Sequence, residues 1–509
     1  MADVKDLSMI LDANIPIIAI ESPDERRVLA LLLQLAVKRG ASFHQWTATR
    51  GLERGGVERQ PPQANGWGSR GGADDGAAHT DPEELLQYIS QQPGPGLYAL
   101  CDFHPYLKGE PTLLRHLKDI ALDFDLLHNT LILISHRLDV PAEVGRLTAK
   151  FNLRLPSDDE LMALTREVAG DWSRINGGAK VKTDHDTLKK LISNLRGVSH
   201  ADARVLVRHA VFNDGAITES DLPSVNKLKF ELLDSEGVLR FEYDTEVFSN
   251  VAGLNNLKHW LSLRQDAFLS STSDRPRGMM LLGVQGGGKS LAAKAVAGYW
   301  GLPLLRLDFG ALYNKFFGET ERNLRNSLSQ AELMAPCVLW MDEIEKGLAT
   351  GQSDNATSQR VLGTLLTWMA ENQKSVFIVA TSNDITSLPP ELVRKGRLDE
   401  VFFVDLPNSD VRAEIFRIHL RKREMDPSAF DLDALARATD GFTGAEIEES
   451  IVSARYQVSA RTEADALLAS EVTTDDLLAA VRRTYPVSVM HAESINRLRN
   501  WAEDRTVIA

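Results

Sequence analysis

Residues 279–290 read MMLLGVQGGGKS: a short apolar run, then Gly283-Val284-Gln285-Gly286-Gly287-Gly288-Lys289-Ser290. The apolar run has the length of a buried strand, and the polar stretch Ser271–Gly278 marks where it begins. The segment Gly283–Ser290 has the form G-x-x-x-x-G-K-S, the pattern of a phosphate-cradling loop. The glycines Gly283, Gly286, Gly287 and Gly288 let successive backbone N–H groups turn toward phosphate oxygens. A helix from about Ser290 to Trp300 then aims its positive end, Leu291 included, at the same point. Lys289 is expected to reach the β- and γ-phosphates, and the Ser290 hydroxyl to hold Mg²⁺. A Gly-rich surface turn that happens to carry a lysine is the plain alternative, and the strand before and helix after weigh against it.

Two more strands end in polar groups. Pro336-Cys337-Val338-Leu339-Trp340-Met341 runs into Asp342-Glu343. Carboxylates at the end of a buried strand are costly unless they are used. Asp342 is placed to support the Mg²⁺ shell and Glu343 to activate a water. Ser375–Ala380 leads to Thr381-Ser382-Asn383, where Asn383 can bond the attacking water or the γ-phosphate. Arg394 and Arg397, three apart in Arg394-Lys395-Gly396-Arg397, could contact a phosphate in trans; a solvated basic turn is the other reading.

This constellation resembles the ATPase module of the AAA+ superfamily, in its AAA branch, over about Val251 to Tyr485. The resemblance implies ATP and Mg as cofactors, Asn383 as the sensor of the γ-phosphate, and Arg394 and Arg397 as fingers completing a neighbour's site. It implies that Val251 and Gly253, within Val251-Ala252-Gly253-Leu254, line the adenine pocket. Gly441-Phe442-Thr443-Gly444-Ala445-Glu446 is similar to the family's turn at the start of a lid helix, placing Gly444 and Ala445 near base and ribose. No arginine occupies the second-sensor position of that turn.

Tyr313–Glu321 resembles the family's aromatic pore loop, with Lys315, Phe316, Phe317 and Gly318 as the gripping residues. Adjacent aromatics followed by glycine make a poor core segment, because neighbouring side chains point to different sides. One phenylalanine could equally anchor the loop to the sheet, and loop-tip aromatics also stack nucleobases. Residues 351–360 (GQSDNATSQR) read as a mobile polar loop, with Arg360 either reading a neighbour's nucleotide or capping a surface.

The first half repeats the order of elements without the loop. Ile17–Ile20, Leu97–Cys101 and Thr130–Ile134 read as strands, and Arg26–Lys38 as a one-sided helix. Asp102, Pro141, Pro156 and Gly197 then fall in the order of Asp342, Pro389, Pro407 and Gly441. A different α/β domain would alternate in the same way. Where the phosphate loop belongs the chain reads Glu21-Ser22-Pro23-Asp24-Glu25-Arg26, with no glycine, no lysine and three acids. Phe103 stands where the water-activating glutamate would be. A copy of this kind should not hydrolyse ATP.

The expected fold is therefore α/β: a P-loop module of parallel sheet, flanking helices and helical lid, preceded by a degenerate copy. The boundaries read 1–165 for the copy, with a Gly-rich disordered insert at 51–81, and 166–215 for a small helical subdomain. A linker spans 216–245, the ATPase core 246–408, and the lid with a C-terminal helix 409–509. The worn first half with one such module is similar to an AAA family found in bacteria and in some algal plastid genomes.

Composition limits the rest. A net charge of −14 disfavours bulk nucleic-acid binding. Two cysteines exclude a disulfide framework and suit a reducing compartment, cytoplasm or plastid stroma. No apolar run approaches the ~18 residues of a membrane span, and the opening MADVKDLSMILDANIP lacks the apolar core of a secretory leader. No H-E-x-x-H occurs, which excludes the zinc-protease branch. The leading expectation is an ATP-hydrolysing ring, a hexamer of identical chains, remodelling a protein substrate. An ATP-gated scaffold and a nucleic-acid remodeller are the alternatives.

Overall fold

The computed structural model describes residues 2–55, 79–136, 138, 140–233, 238–243, 245–270, 275–309, 312, 320–348, 355–385, 388–392, 394, 396–464 and 471–509. The chain divides into two compact units: residues 1–157 with 199–201, and 158–198 with 202–509.

The first unit holds a six-stranded sheet. Its strands are β1 (Ile17–Glu21), β2 (Ser42–Thr47), β3 (Gly51–Arg54), β4 (Gly96–Cys101), β5 (Asn129–Ser135) and β6 (Thr148–Asn152). Their order is β3-β2-β4-β5-β1-β6, and only the β2–β3 pair is antiparallel. Both faces are covered, which explains why the central strands β4 and β5 are buried along their whole length. Ile18 and Ile20 pack with Val28, Leu32 and Leu35 of the helix Glu25–Arg39. Ile17 and Ala19 face the helices Pro82–Ser90 and Pro111–Leu122. The start of the Gly-rich stretch is not an insert, because Gly51–Arg54 pairs with β2 through its backbone, whatever its side chains. Of the rest of that expected insert, 56–78 lie outside the described residues, while Asp81 caps the helix Pro82–Ser90.

The second unit opens with the helices Asp158–Ile175, His185–Asn194, His200–Phe212 and Leu222–Leu233, which share one apolar core. The first of these starts ahead of the boundary expected at 166. The span 216–245 is more than a linker: it carries the last helix and a strand of the next sheet. Two short strands, β7 (Lys182–Thr183) and β8 (Ala216–Ile217), pair beside these helices.

The larger sheet comprises β9 (Leu239–Glu242), β10 (Gly278–Gly283), β11 (Leu304–Leu307), β12 (Cys337–Met341), β13 (Val376–Ser382), β14 (Glu400–Val404) and β15 (Val507–Ile508), in the order β15-β14-β10-β13-β12-β11-β9. Only β9 runs antiparallel, against β11. Met279 and Leu281 face the helices Asn255–Ser262 and Lys289–Trp300. Met280 and Leu282 face the side covered by Thr320–Leu333, Asn355–Glu371 and Ala492–Ala502. The helix Asn355–Glu371 begins inside the segment expected to be a loop to residue 360, and Ser358 within it is buried. A separate helical cluster, the lid, is built from Ser409–Lys422, Leu432–Ala438, Gly444–Ala464 and Thr474–Arg482.

The two sheets share one connectivity. In β14-β10-β13-β12-β11 and in β6-β1-β5-β4-β2, the strand that comes first lies between the fourth and the fifth. Ser135 Oγ donates to Asp102 Oδ1 at 2.7 Å, and Thr381 Oγ1 donates to Asp342 Oδ1 at the same 2.7 Å. The first half is thus a degenerate copy of the second. Its divergence is local: the helix after β1 is capped by Asp24, whose carboxylate accepts from Arg27 N at 3.3 Å. Among the described residues, no helix is long and apolar enough to cross a membrane.

Candidate nucleotide site

The site forms where β10 ends at the centre of the sheet. A Cβ at Gly283 would lie 2.0 Å from the Val404 carbonyl oxygen of β14, so only glycine lets the chain leave the sheet there. Gly286 (φ +76°) and Gly288 (φ +93°) then take left-handed conformations that close the loop. The helix Lys289–Trp300 has no side-chain N-cap. Its first N–H groups are left without a capping side chain, which makes this end receptive to an anion.

Lys289 is buried, and its ammonium donates to Gly283 O at 2.9 Å and Val284 O at 2.7 Å. Burial pushes its pKa down to about 8, against the opposing pull of Glu345, Asp342 and Glu343. Ser290 Oγ donates to Asp342 Oδ1 at 3.4 Å. Thr381, fully buried on β13, organises the two acids: its hydroxyl donates to Asp342 and accepts from Glu343 N at 3.0 Å. Glu343 sits at φ +48°, a left-handed conformation that costs a non-glycine residue on the order of 1–3 kcal/mol and clusters at functional sites. Asn383 Nδ2 donates to Glu343 Oε1 at 3.1 Å, and the Lys346 ammonium pairs with Oε2. Asn383 N donates to Glu345 Oε1 at 3.0 Å, while Glu345 Oε2 is buried with no hydrogen-bond partner among the described residues.

Lys289, Ser290, Asp342, Glu343, Thr381 and Asn383 line a cleft of about 770 Å³. The cleft also has apolar walls, with Val251, Leu254, Ile415, Ile418 and Ala445 beside Gly253. Gly253 (φ +66°) donates its N–H to Glu414 at 3.2 Å. The lid turn closes on the phosphate loop, where Ala445 N meets Gly286 O at 3.4 Å beside Gly444. Thr443 and Glu446 cap each other across that turn. His419 also lines the cleft, and burial is the main cause that lowers its pKa, so the ring is neutral near pH 7.

Gly286, Gly287, Gly288, Lys289, Ser290, Leu291, Asp342, Glu343 and Asn383 all face this cleft, as do Val251, Gly253, Gly444 and Ala445. Gly283 contributes its carbonyl to Lys289 without lining it. Arg394 and Arg397 are not among its walls: Arg394 is exposed, and Arg397 donates to Glu391 O. Lys315, Phe316, Phe317 and Gly318 lie outside the described residues. Sequence reading missed Thr381, Glu345, His419 and Arg306, the last of which pairs with Asp342 at 3.0 Å.

Comparison with known proteins agrees with this geometry. Residues 279–406 match the model of the ATPase family associated with various cellular activities (AAA). Residues 3–153 match the N-terminal domain, and 159–236 the second domain, of SpoVK-like AAA ATPases. A Trieres chinensis protein named "Uncharacterized AAA domain-containing protein ycf46" is 32% identical over 98% of this chain and 96% of its own length. The protein of that name from Guillardia theta is 32% identical over 99% of this chain and 95% of its own. A proteasome-activating nucleotidase from Aeropyrum pernix is 36% identical, but over 41% of this chain and 51% of its own length.

Proposed function

Because the chain belongs to the AAA ATPase family in the form shared with the ycf46 proteins, with two SpoVK-like domains ahead of its ATPase domain, we propose that it binds ATP with Mg²⁺ in this cleft and hydrolyses it. One observation carries the reading: Glu343, held by Asn383 and Thr381, stands in the same cleft as an uncapped helix end and the Lys289 ammonium.

Mg²⁺ fits the residues present. Ser290 Oγ and Asp342 Oδ1 are hard oxygens 3.4 Å apart. Among the described residues no group of three or more His, Cys, Asp or Glu could hold a metal alone. Phosphate and water oxygens would complete such a site, as they commonly do for magnesium. The metal would supply charge neutralisation at the phosphates.

Lys289 and the helix N-terminus bind the phosphates, and the apolar walls take the base. Glu343 accepts a proton from a water molecule. The water oxygen bonds to the γ-phosphorus as the bond to the β–γ bridging oxygen breaks, leaving ADP and inorganic phosphate. In this reading 246–408 is the core and 409–509 the lid with its C-terminal helix.

Arg394 and Arg397, outside their own chain's cleft, serve a neighbour's nucleotide in a ring, a hexamer of identical chains. The ring remodels a protein substrate, with Lys315, Phe316, Phe317 and Gly318 as its grip. The net charge of −14 weighs against nucleic acid as that substrate. The free, buried Cys101 and Cys337 suit cytoplasm or plastid stroma.

The test is turnover by the purified full-length chain with magnesium. Lys289→Ala should lose nucleotide binding. Arg397→Ala should keep binding and assembly by light scattering but lose turnover. Turnover by Arg397→Ala equal to the parent's would remove the ring argument, and no nucleotide uptake by the parent chain would remove the whole reading.

A further inference from the structure

β11 carries a charged residue, Arg306, between the buried Leu305 and Leu307. The strand register sets it opposite Trp340 of β12 on one side and Arg240 of β9 on the other. Asp342 is the first residue past the end of β12, two beyond Trp340. The Arg306 guanidinium lies 4.7 Å from the Trp340 ring centroid and reaches past it to Asp342 Oδ2 at 3.0 Å. Its other terminal nitrogen is 3.8 Å from Glu242 Oε1 on β9. Glu242 in turn pairs at 3.6 Å with Lys294, on the helix that begins at Lys289.

Both oxygens of Asp342 are thereby engaged. Oδ1 accepts from Thr381 and Ser290, and Oδ2 accepts from Arg306. A divalent cation beside Ser290 must share that carboxylate with a guanidinium that never deprotonates. The Asp342 and Glu242 side chains are only 17% and 20% exposed, so solvent screens this competition weakly.

We propose that Arg306 is a positioning residue that fixes Asp342 and sets the magnesium requirement of the nucleotide site, with Glu242 of β9 as the counter-charge that moderates it. The proposal rests on the nucleotide reading above and deepens it. Arg306 holds the carboxylate in place and withholds part of its charge from the metal. Glu242 draws the guanidinium the other way.

The experiment titrates magnesium against the full-length chain, holding N-methylanthraniloyl-ADP constant and reading its fluorescence. Arg306→Gln should lower the magnesium midpoint at least about threefold, because a competing charge is gone. Arg306→Lys should stay close to the parent. Glu242→Gln should raise the midpoint, since Arg306 is then left to Asp342 alone. Arg240→Gln removes a neighbouring positive charge without touching Asp342 and should not move it. An unchanged or raised midpoint in folded Arg306→Gln overturns the proposal. If Arg306→Gln does not fold, an unchanged or lowered midpoint in Glu242→Gln does the same. A parent chain that takes up no nucleotide at any magnesium concentration condemns the nucleotide reading instead, a distinguishable result.

Discussion

Asn383 Nδ2 donates to Glu343 Oε1 across 3.1 Å, joining the ends of two strands that are neighbours in the sheet. The contact fixes the carboxylate to which the proposed hydrolysis assigns the proton of water. Glu343 therefore has its orientation set by β13, separately from the basicity of its carboxylate.

Glu343→Gln separates the two. The amide oxygen can still accept from Asn383, so the shape survives and the base is lost. Nucleotide binding should stay within about threefold of the parent, while turnover falls by about 10²–10⁴, the usual worth of a general base. Retention of radiolabelled ATP on a filter beside phosphate release measures both. Turnover above a tenth of the parent's would show that Glu343 is not the base.

Lys289 gives a pH prediction. Burial holds its pKa at about 8, below the ordinary 10.5. Below pH 8 the free site already carries the ammonium. Above pH 8 the free site loses it, and an anionic phosphate group favours its return, so binding takes up a proton. Affinity should decline as pH rises from about 8 toward 10.5 and be flatter below. Calorimetry at pH 8.5 in two buffers of different ionisation enthalpy reads the proton directly. Equal heats in both would contradict the assignment.

The parts of this site that were legible in sequence are those coded locally. Gly283 to Ser290 is one contiguous loop, Asp342-Glu343 comes directly after the apolar run Cys337–Met341, and Asn383 comes after the apolar run Val376–Ala380 with Thr381 and Ser382 between. Arg306, Thr381 and His419 were not legible, because their roles come from strand register and lid packing across the chain. Arg306 meets Asp342 only because it stands opposite Trp340. β15 was hidden for a related reason: Val507 and Ile508 are exposed, and the strand exists only through pairing with Phe402 and Phe403. The helix read as Val361–Met369 starts earlier, at Asn355, a start hidden because its first turn is polar in sequence, although Ser358 within it is buried.

Gly197 and Gly363 should respond oppositely to alanine. Gly197 has φ +85°, and a Cβ there would come within 2.5 Å of the Leu333 carbonyl oxygen, a backbone atom that cannot swing away. Gly197→Ala should destabilise the second unit by about 2–3 kcal/mol, combining left-handed strain with overpacking. Gly363 lies inside the helix Asn355–Glu371, and a Cβ there would meet nothing within 4 Å. Gly363→Ala should stabilise by about 0.5–1 kcal/mol through helix propensity alone. Urea unfolding of both variants, with unchanged slope, measures the pair.

The degenerate copy predicts stoichiometry. It keeps the strand order, and Ser135 bonds Asp102 as Thr381 bonds Asp342. Yet the helix end that would face phosphate already has an acceptor, the Asp24 carboxylate on Arg27 N. An anion arriving there would meet that carboxylate and its neighbours Glu21 and Glu25 rather than free N–H groups. Calorimetric titration of the full chain should thus count one nucleotide, not two. Asp24→Ala should cost the first unit about 1 kcal/mol, the worth of an N-cap, and leave that count unchanged. Asp102→Asn should likewise leave binding and turnover at parental values, whereas Asp342→Asn should weaken the magnesium-dependent part of binding. Two nucleotides per chain, or a loss of turnover in Asp102→Asn, would mean the first half has kept a working site in spite of its lost loop.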